Sequence, residues 1–159
     1  MTLSKTTLFS TLTAVAISIL SIHSASADSI VRAEKLSPSA NRSYKVAGKR
    51  YTPMTKVSNF SQTGNASWYG SQFHGRKTSS GERYNMNALT AAHKTLPIPS
   101  YARVTNTKNG KSVIVRVNDR GPFHGNRVID VSKAAAQQLG FINQGTANVK
   151  VEQIIPGQT

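Results

Sequence analysis

The sequence predicts a mainly β domain: a small closed barrel of short strands with a short helix late in the chain. Short apolar segments recur between Gly, Pro and Asn turn residues from about Gly64 onward. One of them is a strong hairpin signal, with Tyr101–Lys108 and Lys111–Asn118 flanking Asn109-Gly110. Cysteine is absent, so no disulfide can hold strand edges, whereas closing the sheet removes edges altogether.

Taken in chain order, the first 27 residues read as a secretory signal peptide. Lys5 is the positive start, Leu8–Ile22 the apolar run, and Ala25-Ser26-Ala27 the small-residue cleavage site. Residues 28–60 read as a linker with a short N-terminal extension. Ser37-Pro38-Ser39-Ala40-Asn41 looks linker-like, and Tyr44–Tyr51 forms a short strand or hairpin turning at Gly48. The domain proper spans residues 61–155. Ala66-Ser67-Trp68-Tyr69 is a strand, Gly70–Gly81 a loop, and Ala88–His93 an apolar segment stopped by Pro97 and Pro99. A two-residue loop at Asn109-Gly110 would set 105 opposite 114 and 102 opposite 117. It puts Ala102, Val104, Val113, Val115 and Val117 on one core face. It also sets Arg103 against Arg116, which calls for an anion nearby, Asp130 or another carboxylate. Asp119–Phe123 is a sharp turn and Val128–Val131 a strand. Ser132 caps a helix over Lys133–Leu139 that ends at Gly140, and Thr146–Ile154 is the last strand.

Lys and Arg number 20 against 6 Asp and Glu, a net charge of +14. The cationic residues form no long run, so the charge is spread over a folded surface. An exported cation of this size meets wall glycans, wall polymers and lipid headgroups rather than nucleic acid. Without cysteine there is no thiolate metal site, no Cys nucleophile and no lipidated N-terminal Cys. His74, His93 and His124 have no metal-ligand spacing, and no G-x-S-x-G elbow occurs, so no metal or cofactor is expected. Residues 61–155 contain four acids. Asp130 and Glu152 lie within strands and read as structural. Glu82 lies in a loop and Asp119 at a strand end, positions where reactive groups gather. Asp119 reads equally as the cap of the turn that follows it.

Gly64–Gly70, Phe73-His74-Gly75-Arg76-Lys77-Thr78, Gly81-Glu82-Arg83-Tyr84 and Ala88–Pro97 together resemble the rare lipoprotein A family. Val115–Phe123 and Ile129–Ser132 continue the likeness in order. The resemblance implies a six-stranded double-psi β-barrel. It also implies an endolytic peptidoglycan lytic transglycosylase, which cleaves the MurNAc–GlcNAc β-1,4 bond and leaves 1,6-anhydro-MurNAc. Residue by residue, it makes Glu82, His93 and Asp119 the catalytic candidates. Asp119 would be the acid–base, Glu82 the neighbouring carboxylate, and His93 would orient the sugar or tune the proton. Trp68, Tyr69, Tyr84, Arg76 and Arg120 are the expected substrate-binding residues. The expected partners are peptidoglycan glycan strands, preferably free of stem peptides, with division or wall-synthesis proteins as further candidates. A monomer without a membrane anchor, exported to the periplasm or beyond, is expected. The sequence departs from the family in having no Cys after the signal peptide, no glycan-binding repeat after the barrel, and Asn85 where many members have Asp. The alternative is an expansin-like module that binds or loosens the wall without cutting it.

Overall fold

The computed structural model describes residues 28–158, so the expected signal peptide lies outside the described residues. Six strands close into a barrel: β3 (Ser61–Tyr69), β4 (Thr90–His93), β5 (Ser100–Asn106), β6 (Ser112–Asp119), β7 (Arg127–Ser132) and β8 (Thr146–Ile154). Their order around the barrel is β3-β7-β4-β6-β5-β8. Two pairs are parallel, β3 with β7 and β4 with β6, and the remaining neighbours are antiparallel. Two shorter strands, β1 (Tyr44–Val46) and β2 (Lys49–Tyr51), form a separate hairpin.

The barrel interior is filled by β-branched side chains. Val104, Val113, Val115, Val117, Ile129, Val131, Val149 and Val151 are fully buried. Leu96, Ile98, Leu139 and Phe141 are fully buried with them. Helix α1 (Lys133–Leu139) starts and stops where its sequence dictates. The Ser132 hydroxyl accepts from the Ala135 N–H, and Gly140 closes the helix in the left-handed conformation at φ 76°. A short 3-10 turn, Ser71–Phe73, follows β3.

The β5–β6 hairpin has a different register from the one expected. Thr105 lies opposite Ser112, Arg103 opposite Ile114 and Tyr101 opposite Arg116. Asn106 and Lys111 close a four-residue loop, in which only Gly110 has a positive φ, 74°. The side chains explain this. Asn106 and Asn109 both donate to the Leu139 carbonyl at the end of α1, pinning the loop to the helix. Their side-chain Oδ1 atoms accept from the N–H groups of Lys108 and Lys111. The slip is two residues, so side-chain parity survives and the valines stay in the core. Arg103 therefore does not oppose Arg116. The anions that Arg116 meets are Glu34 and Glu82, not Asp130.

Residues 28–60 do not behave as the expected linker, because polar contacts, most of them partly buried, tie them to the barrel. Ser29 donates its N–H to the Ile114 carbonyl, and Asp28 accepts from the Ile114 N–H. Glu34 pairs with Arg116 at 2.9 Å and accepts from the Tyr101 hydroxyl. Asn41 accepts from the Ile98 N–H and donates to its carbonyl, and Ala40 is buried with the core cluster. The hairpin expected at Tyr44–Tyr51 is present, and Tyr44 donates to the Lys94 carbonyl.

Candidate functional site

Strands β7, β4 and β6 lie side by side, and their register sets the site. Ala92 of β4 is paired with Asp130 of β7 on one side and with Asp119 of β6 on the other. Asp130 is in turn paired with Ser67 of β3. Ser67, Asp130, Ala92 and Asp119 thus form one row across four strands. Simple alternation would send Asp119 to the interior with Val115 and Val117. A bulge intervenes: Ala91 pairs with Val117 but Ala92 pairs with Asp119, leaving Asn118 as the extra residue. The bulge turns Asp119 onto the outer face, beside Ala92 and Asp130.

That face is the floor of a cleft of about 480 Å³. Trp68 and Tyr69 from β3, Gln72 and Phe73 from the 3-10 turn, Phe123 and His124 from the turn before β7, and Arg127 at the start of β7 wall it. The Asp119 carboxylate is held by one oxygen. Oδ1 accepts from the Ser79 N–H and hydroxyl, each at 2.9 Å, and from the Arg120 N–H at 2.9 Å. Asp119 is thus both a turn cap and a cleft residue. Asp130 accepts from the Ser67 hydroxyl, and Arg127 stands 3.7 Å from its other oxygen while donating to Ser67 at 2.6 Å.

The expected trio is only partly brought together. Asp119 lines the cleft. Glu82 lies on the loop whose Ser79 holds Asp119, but its carboxylate points to Arg116, at 2.5 and 2.7 Å, and accepts from Asn118 at 3.2 Å. His93 is buried with both ring nitrogens engaged. Nε2 faces the Gln62 side-chain oxygen Oε1 at 2.9 Å, and Nδ1 accepts from the Thr95 and Leu96 N–H groups. Burial, together with the charges of Arg120 and Lys94, pushes its pKa down to about 3. It is a neutral ring fixed as the Nε2–H tautomer, with no nitrogen open to the cleft.

Of the expected binding residues, Trp68, Tyr69 and Arg120 line the cleft and Tyr84 and Arg76 do not. Tyr84 is buried, donating to the Tyr69 carbonyl at 2.6 Å with its ring 4.0 Å from that of Tyr69. It supports the wall instead of facing a ligand. Arg76 is exposed at the rim, its guanidinium 5.6 Å above the Phe73 ring. Arg120 has no donor to spare. Its five N–H groups go to Ala40 O twice, His93 O, Leu96 O and Asn41 Oδ1. Burial draws its pKa down to about 10, which leaves it charged at neutral pH. It clamps residues 40–41 to the end of β4.

Sequence reasoning read Asp130 as structural and did not single out Phe73, Phe123 or Arg127. A signal for Asp130 was present: it alternates with Ile129 and Val131, so a barrel places it on the outer face. Phe73 and Phe123 lie in loops, whose course no periodicity reveals.

A closed six-stranded barrel in this strand order, with two parallel pairs, is a double-psi β-barrel, and its cleft opens over the row that carries Asp119 and Asp130. The chain belongs to the family described as lytic transglycolase, whose family model matches residues 61–151. It is 77% identical over 159 residues to the endolytic peptidoglycan transglycosylase RlpA of Neisseria meningitidis serogroup A, covering all of this chain and 66% of that protein. Proteins of the same name from Vibrio cholerae and Pseudomonas aeruginosa are 56% and 61% identical over 121 and 115 residues. Those matches cover 76% and 72% of this chain, and 46% and 34% of the relatives. The chain therefore spans 66% of the first relative's length and less than half of the other two.

Proposed function

We propose that this chain is an endolytic lytic transglycosylase that cuts the MurNAc–GlcNAc β-1,4 bond of peptidoglycan strands. The observation that carries the proposal is the pair of carboxylates, Asp119 and Asp130, flanking Ala92 on the floor of an open cleft. Breaking the bond needs a proton on the departing GlcNAc oxygen and a nucleophile at the MurNAc anomeric carbon. In this reaction the nucleophile is the sugar's own C6 hydroxyl, so no water has to be positioned. The C6 proton must be taken up as the anhydro ring closes. Asp119 is the proposed acid–base, since the donors that hold it all bind Oδ1 and leave Oδ2 without a partner among the described residues. Asp130, held by Ser67 and Arg127, is placed to oppose the positive charge that develops on the sugar ring. Glu82 acts at a distance by seating the Thr78–Glu82 loop, and His93 by fixing the end of β4. Trp68, Tyr69 and Phe73 offer apolar faces to the sugars. The signal-like leader and a wall substrate support an exported protein, periplasmic or secreted.

One observation favours a second reading, a non-cleaving wall-binding module. Glu82 is neutralised by Arg116, and His93 is sealed from the cleft, so the expected trio does not meet. Mass analysis of products from purified, stem-peptide-free strands separates the two. Anhydro-MurNAc ends, lost in Asp119→Asn with the fold intact, support cleavage. Retained strand pull-down without products makes the chain a binder, and reducing ends make it a hydrolase.

A further inference from the structure

A second cavity, of about 370 Å³, adjoins the cleft and shares Arg120 and Phe123 with it. Ser79, which holds Asp119, lines this second cavity while Asp119 lines the first. Asp119 thus stands at the boundary of the two. The outer wall comes from Ser39, Arg42, Ser43 and Tyr44, upstream of the family-matched residues 61–151. This wall is rigid. Arg120 ties Ala40 and Asn41 to β4, Tyr44 is bonded to the Lys94 carbonyl, and the Tyr44 ring stacks on Tyr51 at 5.2 Å. Phe123 packs edge-on to Tyr44 at 6.0 Å, which fixes the partition between the cavities.

The lining has the chemistry of a saccharide subsite: hydroxyls from serines, aromatic faces and the cations Arg42 and Arg120, one of which must be free to meet a ligand. Arg120 cannot supply that cation, because all five of its donors are used. Arg42 is exposed and makes no ion pair or hydrogen bond among the described residues. Lys45, Lys49 and Arg50 follow it, with no acid between residues 42 and 51. We propose that this cavity is a second saccharide subsite, in which Arg42 reads the carboxylate of an acidic sugar of the same strand that crosses Asp119. The proposal rests on the glycan reading of the cleft and names residues outside the barrel that extend it.

The test uses the full chain carrying Asp119→Asn, to prevent turnover. Affinity is measured by calorimetry for two probes, stem-peptide-free muramoyl strands and neutral GlcNAc oligomers. Added to that background, Arg42→Gln is expected to lower the preference for the muramoyl strand about fivefold, the size of one solvent-exposed ion pair. The preference in the Arg42 parent should also shrink as salt rises. Lys49→Gln, on the hairpin but away from the cavity lining, should change the preference less than Arg42→Gln. An unchanged preference in Arg42→Gln, equal losses in the two variants, or no binding of either probe by the parent overturns the subsite. Product analysis of the chain with native Asp119 is run alongside. Anhydro ends with an unchanged preference sink the subsite alone, whereas an Arg42-dependent preference without products sinks the cleavage reading alone.

Discussion

Replacing Arg120 by Ala removes five hydrogen bonds at once, and the structure says where the cost falls. The lost acceptors are the carbonyls of Ala40, His93 and Leu96 and the side chain of Asn41. A hydrogen bond from a charged group contributes about 1.5–3 kcal/mol singly, but bonds sharing one guanidinium do not add. Asn41 Oδ1 keeps the Ile98 N–H, and the cleft side admits water to part of the gap. A net loss of about 3 kcal/mol follows, in the range for removing one partner of a buried polar network. In a domain of this size that lowers Tm by about 10 °C. Arg120→Lys keeps the charge but not the planar fork, and should recover only a minority of the loss. Thermal melting by circular dichroism and glycan pull-down are read on the same samples. An Arg120→Ala protein that melts within about 2 °C of the parent but no longer holds glycan would refute the clamp and restore Arg120 as a substrate contact.

His93 gives a pH signature. Its pKa is depressed to about 3 when folded, so its stabilising contribution is complete above the unfolded value of about 6.5 and is lost as pH falls from there toward 3. One such group costs about 1.4 kcal/mol per pH unit in that window, and His93→Gln should flatten denaturant midpoints between pH 6.5 and 4.5. Glu82→Gln should keep the fold and lower cleavage less than Asp119→Asn, since Glu82 acts through the loop; equal losses in single-turnover rate would place Glu82 in the chemistry. Ser132→Ala removes the α1 cap and should cost about 1 kcal/mol, read as a shifted denaturation midpoint. Limited trypsin digestion should spare the segment before residue 60, despite its Lys and Arg content; rapid trimming to a core starting near that point would show that the Glu34 and Arg120 contacts do not hold it.

The barrel was legible because its strands carry their parity in sequence. The valines at 113, 115 and 117 and the Ile129/Val131 pair declare a core face whatever the exact register. The register was not legible. Asn109-Gly110 promises a two-residue turn, but the Leu139 carbonyl, 29 residues downstream of Gly110, captures Asn106 at the end of β5 and Asn109 in the loop. The site was half legible for a related reason. Alternation gives Asp119 the wrong face, and only the bulge at Asn118 corrects it. The linker reading failed because Pro and Ser near residue 38 describe an irregular backbone, not a loose one. What holds that segment is Arg116 and Arg120, whose contacts with it are separated by some 80 residues of chain.

The carboxylate row has a consequence for how this cleft tolerates change. Asp119 and Asp130 are separated by two inter-strand steps, about 9.6 Å between backbones at the usual spacing. That separation belongs to the hydrogen-bonded ladder, not to any loop, and the closed barrel offers no edge along which a strand could slide. Loops around the cleft can lengthen or shorten without altering the backbone spacing beneath the two acids, while the Ser79 loop still aims the Asp119 carboxylate. Between the two acids Ala92 keeps the cleft floor low, which on the proposed glycan reading leaves depth for a sugar ring. Ala92→Val or Ala92→Leu would raise that floor without replacing either acid, and on the same reading should weaken glycan binding while both carboxylates stay in place.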